Sequence, residues 1–308
     1  MLAALALLIG PYPLRTGALF QPVVFEALWW SLAALAFVAL LDGGDRRWWL
    51  LFGVAAGLGG LTKFSAAIFG AAMAVGVLFS PLRRDLLTRW PWVAVLVGGL
   101  IALPAVLGQI AWGWPFFAQA QVLRESQLER VTAGSFLAGQ LFLEGAAAPL
   151  LLVGAAGLFA SRGLRPFRGL GVAAGAALVF LLVLGGKEYY FGPMHLPLLA
   201  AGSVVAGAWL ATRPRLWRGA LALGVVGGLL LLPLGIPLLP PAEERADAVI
   251  VGGNYGRAGA PLCGEVVQAG QITTPMGVEE EQDVPVHVCR GLKEPLSRLW
   301  RELGPAWG

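Results

Sequence analysis

LLVLGGKEYYFGPMHLPLLAAG, residues 181–202, joins two apolar runs through a short polar knot. Lys187, Glu188, Tyr189, Tyr190 and His195 fall within nine positions, and His195 is one of two histidines in the chain. A loop between water-soluble elements is usually longer and plainer. Two greasy runs meeting this abruptly read as the end of one membrane helix and the start of the next, because backbone in hydrocarbon must satisfy its own hydrogen bonds.

Composition extends that reading to the whole chain. Of 308 residues, 57% are hydrophobic and 13% charged, with a mean hydropathy of +0.74. A soluble domain of this length has no use for so much apolar surface, so the bilayer is the expected solvent. Nine hydrophobic segments are expected, at 1–12, 22–41, 48–62, 64–80, 91–112, 136–160, 169–186, 194–212 and 219–239. Several approach the roughly 20 residues that cross about 30 Å of hydrocarbon. The fold class is thus an all-α polytopic membrane bundle over 1–239, followed by a small extramembrane α/β domain over 240–308. MLAALALLIG lacks a charged n-region and a following cleavage site, which makes it a poor signal peptide. It reads as the end of a helix whose beginning is absent.

The net charge of +4 hides an asymmetry: residues 1–239 carry 16 Lys/Arg against 8 Asp/Glu, and residues 240–308 carry 6 against 10. No basic patch interleaved with aromatics is present, so nucleic-acid binding is excluded as a reading. The arginines gather in four loops, at Arg46–Arg47, at Arg83, Arg84 and Arg89, at Arg162, Arg165 and Arg168, and at Arg213, Arg215 and Arg218. Strict alternation of nine segments puts all four on one face, which the positive-inside rule makes cytoplasmic. Gln21, Glu26, Lys63, Gln109, Gln140, Glu144, Lys187 and Glu188 then all lie toward the outer ends of their segments. Ionisable groups in a membrane helix are costly unless paired or wet, so eight polar residues at one depth suggest a shared outward-facing cavity. Lys63 and Lys187 can bind an anionic headgroup there, with Tyr189 and Tyr190 donating hydrogen bonds. A lipid-linked phosphate suits that depth.

The tail changes character. ADAVIVGGNYG reads as a strand and turn, DVPVHVC alternates like a strand, and LKEPLSRLWREL reads as a terminal amphipathic helix. EEEQD at 279–283 reads as a solvated loop, and GGNYGRAG as a turn rather than a dinucleotide fingerprint. Cys263 and Cys289, the only cysteines, fall on the oxidising side and form a candidate disulfide. The chain has no Walker loop, CxxC, HExxH or GxSxG, and its histidines lie in different regions. A histidine metal site or a Ser-His-Asp triad is therefore not expected. No ladder of charges crosses the bilayer centre and no inverted repeat is visible, which weakens a pump, transporter or flippase.

LFQPVVFEALWW, GLGGLTKFSA, GQIAWGWPFF, FLAGQLFL and GGKEYYFGPMHLPLLAAG occur in that order. The series resembles the bacterial membrane glycosyltransferases of family 39, the protein O-mannosyltransferase and aminoarabinose-transferase-like group with the GT-C fold. PAEERADAVIVGGNYGRAGA and DVPVHVCRGLKEPLSRLW also resemble the periplasmic end of one subgroup. The resemblance implies an enzyme of the bacterial cytoplasmic membrane, its C-terminal domain outside. It would move a sugar from a polyprenyl-phosphate donor to an acceptor, lipid, glycan or protein, at the outer face. By the same resemblance Lys63, Lys187, Tyr189 and Tyr190 lie near the carrier phosphate. Gln21, Pro22 and Glu26 match the FQP segment, with Glu26 where aspartate is expected and His195 where an aromatic is expected. The catalytic acid of such enzymes belongs to a first outer loop that this chain does not contain, which implies an N-terminally truncated form. Glu26 and Glu144 are weak stand-ins for the general base, Glu188 is an ion-pair partner for Lys187, and His195 is an interface residue at a helix start. No cofactor is identified. A divalent metal stays open, its ligands expected upstream. The alternative is a non-catalytic lipid-phosphate-binding membrane protein.

Overall fold

The computed structural model describes residues 2–18, 21–124, 131–235, 248–251, 263–273 and 283–292. The chain divides into two compact units, Met1–Leu238 and Leu239–Gly308.

Among the described residues the first unit is helical: α1 (Leu2–Ile9), α2 (Pro11–Ala18), α3 (Pro22–Leu41), α4 (Trp48–Thr62), α5 (Ala66–Leu78), α6 (Arg89–Ala111), α7 (Pro115–Leu123), α8 (Ala133–Glu144), α9 (Ala148–Ala160), α10 (Arg168–Leu184), α11 (Gly192–Ala211) and α12 (Pro214–Gly235). Each expected hydrophobic segment contains helix, although that at 1–12 is broken at Gly10 between α1 and α2, and that at 64–80 is α-helical only over Ala66–Leu78. Among the described residues, six helical stretches are long and apolar enough to cross a membrane, or seven if α5 and the 3-10 turn Pro81–Leu87, bent by 99°, count as one span. α4 has 15 residues and α5 has 13, so α4 rises about 22 Å, short of the roughly 30 Å hydrocarbon layer.

Glycine sets how closely the helices approach. A Cβ at Gly154 of α9 would collide with Leu198 O, and one at Gly202 of α11 would collide with Leu150 O, so these two backbones touch directly. In lipid, where apolar side chains gain little from burial against each other, such close contact is a main source of helix association. The α9–α11 contact sets the spacing between the end of α8 and the start of α11. Gly53 and Gly57 of α4 meet Ala94 and Gly98 of α6 in the same manner.

The arginine-rich loops converge. Arg46 Nε lies 3.2 Å from Asp85 Oδ1, and Trp49 Nε1 donates to Asp85 Oδ2 at 3.0 Å. These contacts tie the α3–α4 loop to the segment between α5 and α6. Gly169, beside Arg162, Arg165 and Arg168, packs on Ser80. Three of the four arginine clusters thus share one end of the bundle, and Lys63 lies at the opposite end of α4.

The second unit contains β1 (Ala248–Val251), β2 (Cys263–Thr273) and β3 (Asp283–Leu292), an antiparallel sheet in the order β1-β3-β2. β1 and β3 sit where strands are expected from sequence. β2 is additional, and its CGEVVQAGQIT carries only a broken alternation. The expected terminal helix and the GGNYGRAG turn lie outside the described residues, as does EEEQ of the 279–283 loop, so this unit is described as a sheet alone. Cys263 stands opposite Leu292, whereas Cys289 stands opposite Val266. That three-residue offset separates the two cysteines by about 10 Å along the strands.

Candidate functional site

The quoted polar knot is a helix reversal. α10 stops at Gly185, whose φ of +66° is the left-handed cap position, and Gly186 N–H closes back on Leu181 O at 2.8 Å. This is the hydrogen-bond pattern of a glycine-terminated helix. Lys187 is extended, at φ −67° and ψ 152°, and a short 3-10 turn, Glu188–Phe191, follows. α11 begins at Gly192–Pro193, with proline at the helix start, where its missing N–H costs nothing. The turn presents two tyrosine rings in edge contact, their centroids 4.7 Å apart.

Those rings face Lys63. α4 ends there, and Lys63 leaves the helix in an extended conformation, at φ −162° and ψ 140°. Its Nζ lies 4.3 Å from the Tyr190 ring centroid and 5.2 Å from that of Tyr189. The same Nζ donates to Glu26 Oε2 at 3.0 Å. Glu26, one turn into α3 and 1% exposed, is held on its other oxygen by a short hydrogen bond from Ser65 Oγ. Trp29 Nε1 donates to Thr62 Oγ1 at 3.1 Å, fixing α3 against the end of α4. A buried carboxylate with an ammonium and a hydroxyl on its two oxygens is largely compensated, and a cation over two aromatic faces gains further attraction from the ring quadrupoles.

A second polar cluster lies on the far side of the same turn. His195, in the first turn of α11 and 1% exposed, places Nδ1 2.7 Å from Glu144 Oε1 and Nε2 2.9 Å from Gln140 Oε1. Gln140 Nε2 donates to Phe136 O at 2.8 Å and to Glu188 O at 3.1 Å. Carbonyl oxygens only accept, so the amide nitrogen of Gln140 has to face them. Its carbonyl oxygen then faces His195 Nε2, which must carry a hydrogen. One further proton lies between Nδ1 and Glu144, and wherever it sits the pair has no net charge. Glu144 Oε2 and the Tyr12 hydroxyl are buried and have no hydrogen-bond partner in the protein. Tyr12 also packs edge-on against His195, at 5.8 Å between centroids.

Of the eight polar residues expected in one cavity, most are engaged in separate contacts. Glu26 and Lys63 pair directly. Gln140, Glu144 and the backbone of Glu188 meet around His195. Gln109 Oε1 accepts from Phe116 N at 3.0 Å and supports the left-handed turn at Trp114, φ +61°. Gln21 is the exposed residue preceding α3, just over one turn from Glu26. Lys187 is half-buried where the 3-10 turn starts. The Glu188 side chain lies against Gly139, and its carbonyl is what enters the network. The expectation that His195 is an interface residue is corrected. It is buried, because Glu144 and Gln140 supply partners for both ring nitrogens. Ser65 and Tyr12 join the site without having been singled out from sequence, and Gln140, expected only among the cavity's polar residues, enters the His195 network. Gln140 and Glu144 carried a usable signal, since polar residues at i and i+4 in an apolar helix share one face. Among the described residues no group of three or more His, Cys, Asp or Glu side chains forms a candidate metal site.

Residues 1–112 match the family described as dolichyl-phosphate-mannose-protein mannosyltransferase, a family of membrane glycosyltransferases. No curated protein and no solved structure matches the chain. The matched part holds α1 to α6, and with them Tyr12, Glu26, Lys63 and Ser65. The tyrosine turn and the His195 cluster lie beyond it.

Proposed function

We propose that this chain is a membrane glycosyltransferase of the GT-C type that takes a sugar from a polyprenyl-phosphate carrier. The supporting observation is the Lys63 ammonium, held at a helix break between a buried carboxylate and the faces of Tyr189 and Tyr190. It lies in a helical, membrane-suited bundle whose first 112 residues match a lipid-linked mannosyltransferase family. The positive-inside rule puts the arginine-rich end in the cytoplasm and the Lys63 end at the outer face of a bacterial inner membrane, with the C-terminal unit on the same outer side. In this reading an acceptor hydroxyl attacks the anomeric carbon. The bond from that carbon to phosphate oxygen breaks, its electron pair leaves with the polyprenyl phosphate, and the hydroxyl proton passes to a base. Lys63 stabilises the departing charge, the tyrosines fix the headgroup, and Lys187 and Gln21 flank the approach.

Both carboxylates considered as bases are engaged, Glu26 by Lys63 and Ser65 and Glu144 by His195. That engagement favours, as a second reading, a protein that holds a lipid phosphate without turning it over. Membranes carrying the complete reading frame, supplied with labelled polyprenyl-phosphate sugars, decide the first reading: transfer or hydrolysis supports it and no turnover sinks it. Photo-crosslinking to a polyprenyl-phosphate probe without turnover supports the second. Under either reading Lys63→Ala lowers capture, and Lys187→Ala tests the supporting cation.

A further inference from the structure

His195, Gln140 and the tyrosine turn form one continuous chain of contacts, and nothing in the proposed chemistry uses its first two members. The chain starts at Glu144 Oε1 and passes through both nitrogens of His195. It crosses the Gln140 amide and ends on the carbonyl of Glu188, the first residue of the turn that carries Tyr189 and Tyr190 over Lys63. From His195 Nε2 to the Glu188 carbonyl every link has its direction fixed. The Glu188 and Phe136 carbonyls orient the amide, the amide oxygen requires a hydrogen on Nε2, and Glu144 holds Nδ1. We infer that Gln140 and His195 are positioning residues, whose hydrogen-bonded chain holds the 188–191 turn where its tyrosines cover the Lys63 ammonium. That this sets the geometry of a lipid-phosphate site rests on the function proposed above. That it holds the turn does not.

The turn reports on itself. Tyr190 N–H is bonded to Lys187 O at 3.0 Å, so its amide hydrogen exchange measures how firmly the turn is closed. In the purified full chain, Gln140→Met keeps the side-chain volume but removes the donor to Glu188. Exchange in the 187–191 segment is expected to rise about five- to tenfold, the equivalent of one hydrogen bond, while α10 and α11 keep their protection. If Gln140 only fills space, Met is silent there and the inference fails. His195→Phe together with Glu144→Gln removes the ring donor without leaving a buried charge, and is expected to raise exchange in the same segment. Adding Gln140→Met to that pair should raise it no further, because the residues act in series. Additive effects would overturn the chain. Capture of a photoactivatable polyprenyl phosphate separates the two proposals. If the parent protein captures none, the proposed function fails, and exchange alone still decides the positioning role.

Discussion

Lys63 carries the clearest single-residue consequences. Its ammonium compensates Glu26, which is 1% exposed, so Lys63→Ala leaves a buried carboxylate unpaired. Losing one partner of such a pair costs about 3 kcal/mol. Thermal unfolding of the purified protein should show that loss, and Glu26→Gln in the same chain should recover most of it. Glu26→Gln alone is the milder change, because the amide still meets Ser65. At Tyr190, whose ring centroid is 4.3 Å from the ammonium, phenylalanine preserves the aromatic face and leucine does not. Tyr190→Leu is expected to cost about 1 kcal/mol more than Tyr190→Phe, the scale of a partly desolvated cation–π contact. Equal losses in denaturant unfolding would show that the ring face contributes nothing. The sequence points to Lys63, Glu26 and the two tyrosines as neighbours because segment alternation alone puts them at one depth. It does not reveal the buried histidine cluster. Glu144 and His195 are 51 positions apart, and pairing over that distance depends on how α9 packs on α11, which hydropathy does not encode.

At the level of elements, one helix crossing decides whether the His195 cluster assembles. The α9–α11 crossing at Gly154 and Gly202 has no room for a Cβ. Gly154→Val should push these helices apart and draw His195 away from Glu144 and Gln140. Overpacking costs about 1–3 kcal/mol in ordinary cores, and a backbone-to-backbone contact belongs at the upper end. Lower thermal stability with faster exchange at the start of α11 checks this. Gly175, where a Cβ meets nothing within 4 Å, is the control, and Gly175→Ala should be close to neutral. The helices themselves are readable from sequence because a run of apolar residues is a local property. The break between α4 and α5 is readable too, because the apolar runs at 48–62 and 64–80 stop on either side of Lys63. In the second unit, β1 and β3 show a strand pattern, whereas β2 becomes visible only through its pairing with β3.

Across the whole molecule the asymmetry is one of ends. Arg46 and Asp85 join two loops at one end, and the Lys63 site closes the other. With Cys263 and Cys289 replaced by serine, Gln21→Cys should react with a membrane-impermeant maleimide applied to intact cells. Arg84→Cys should react only after permeabilisation. The reverse pattern would place the Lys63 end in the cytoplasm and remove it from outer-face chemistry. The Arg46–Asp85 pair is half exposed on the arginine side and contributes little to stability by itself, so its value lies in marking which loops share an end.

The neutral Glu144–His195 pair also bears on how such a chain drifts. Replacing one member leaves its neighbour with an unmatched buried charge or lone pair, whereas replacing both by apolar residues of similar volume is often tolerated. The two positions therefore behave as one inherited character. In related sequences an aromatic residue at the place of His195 should travel with an uncharged residue at the place of Glu144, and intermediates that keep the carboxylate without the imidazole should be rare.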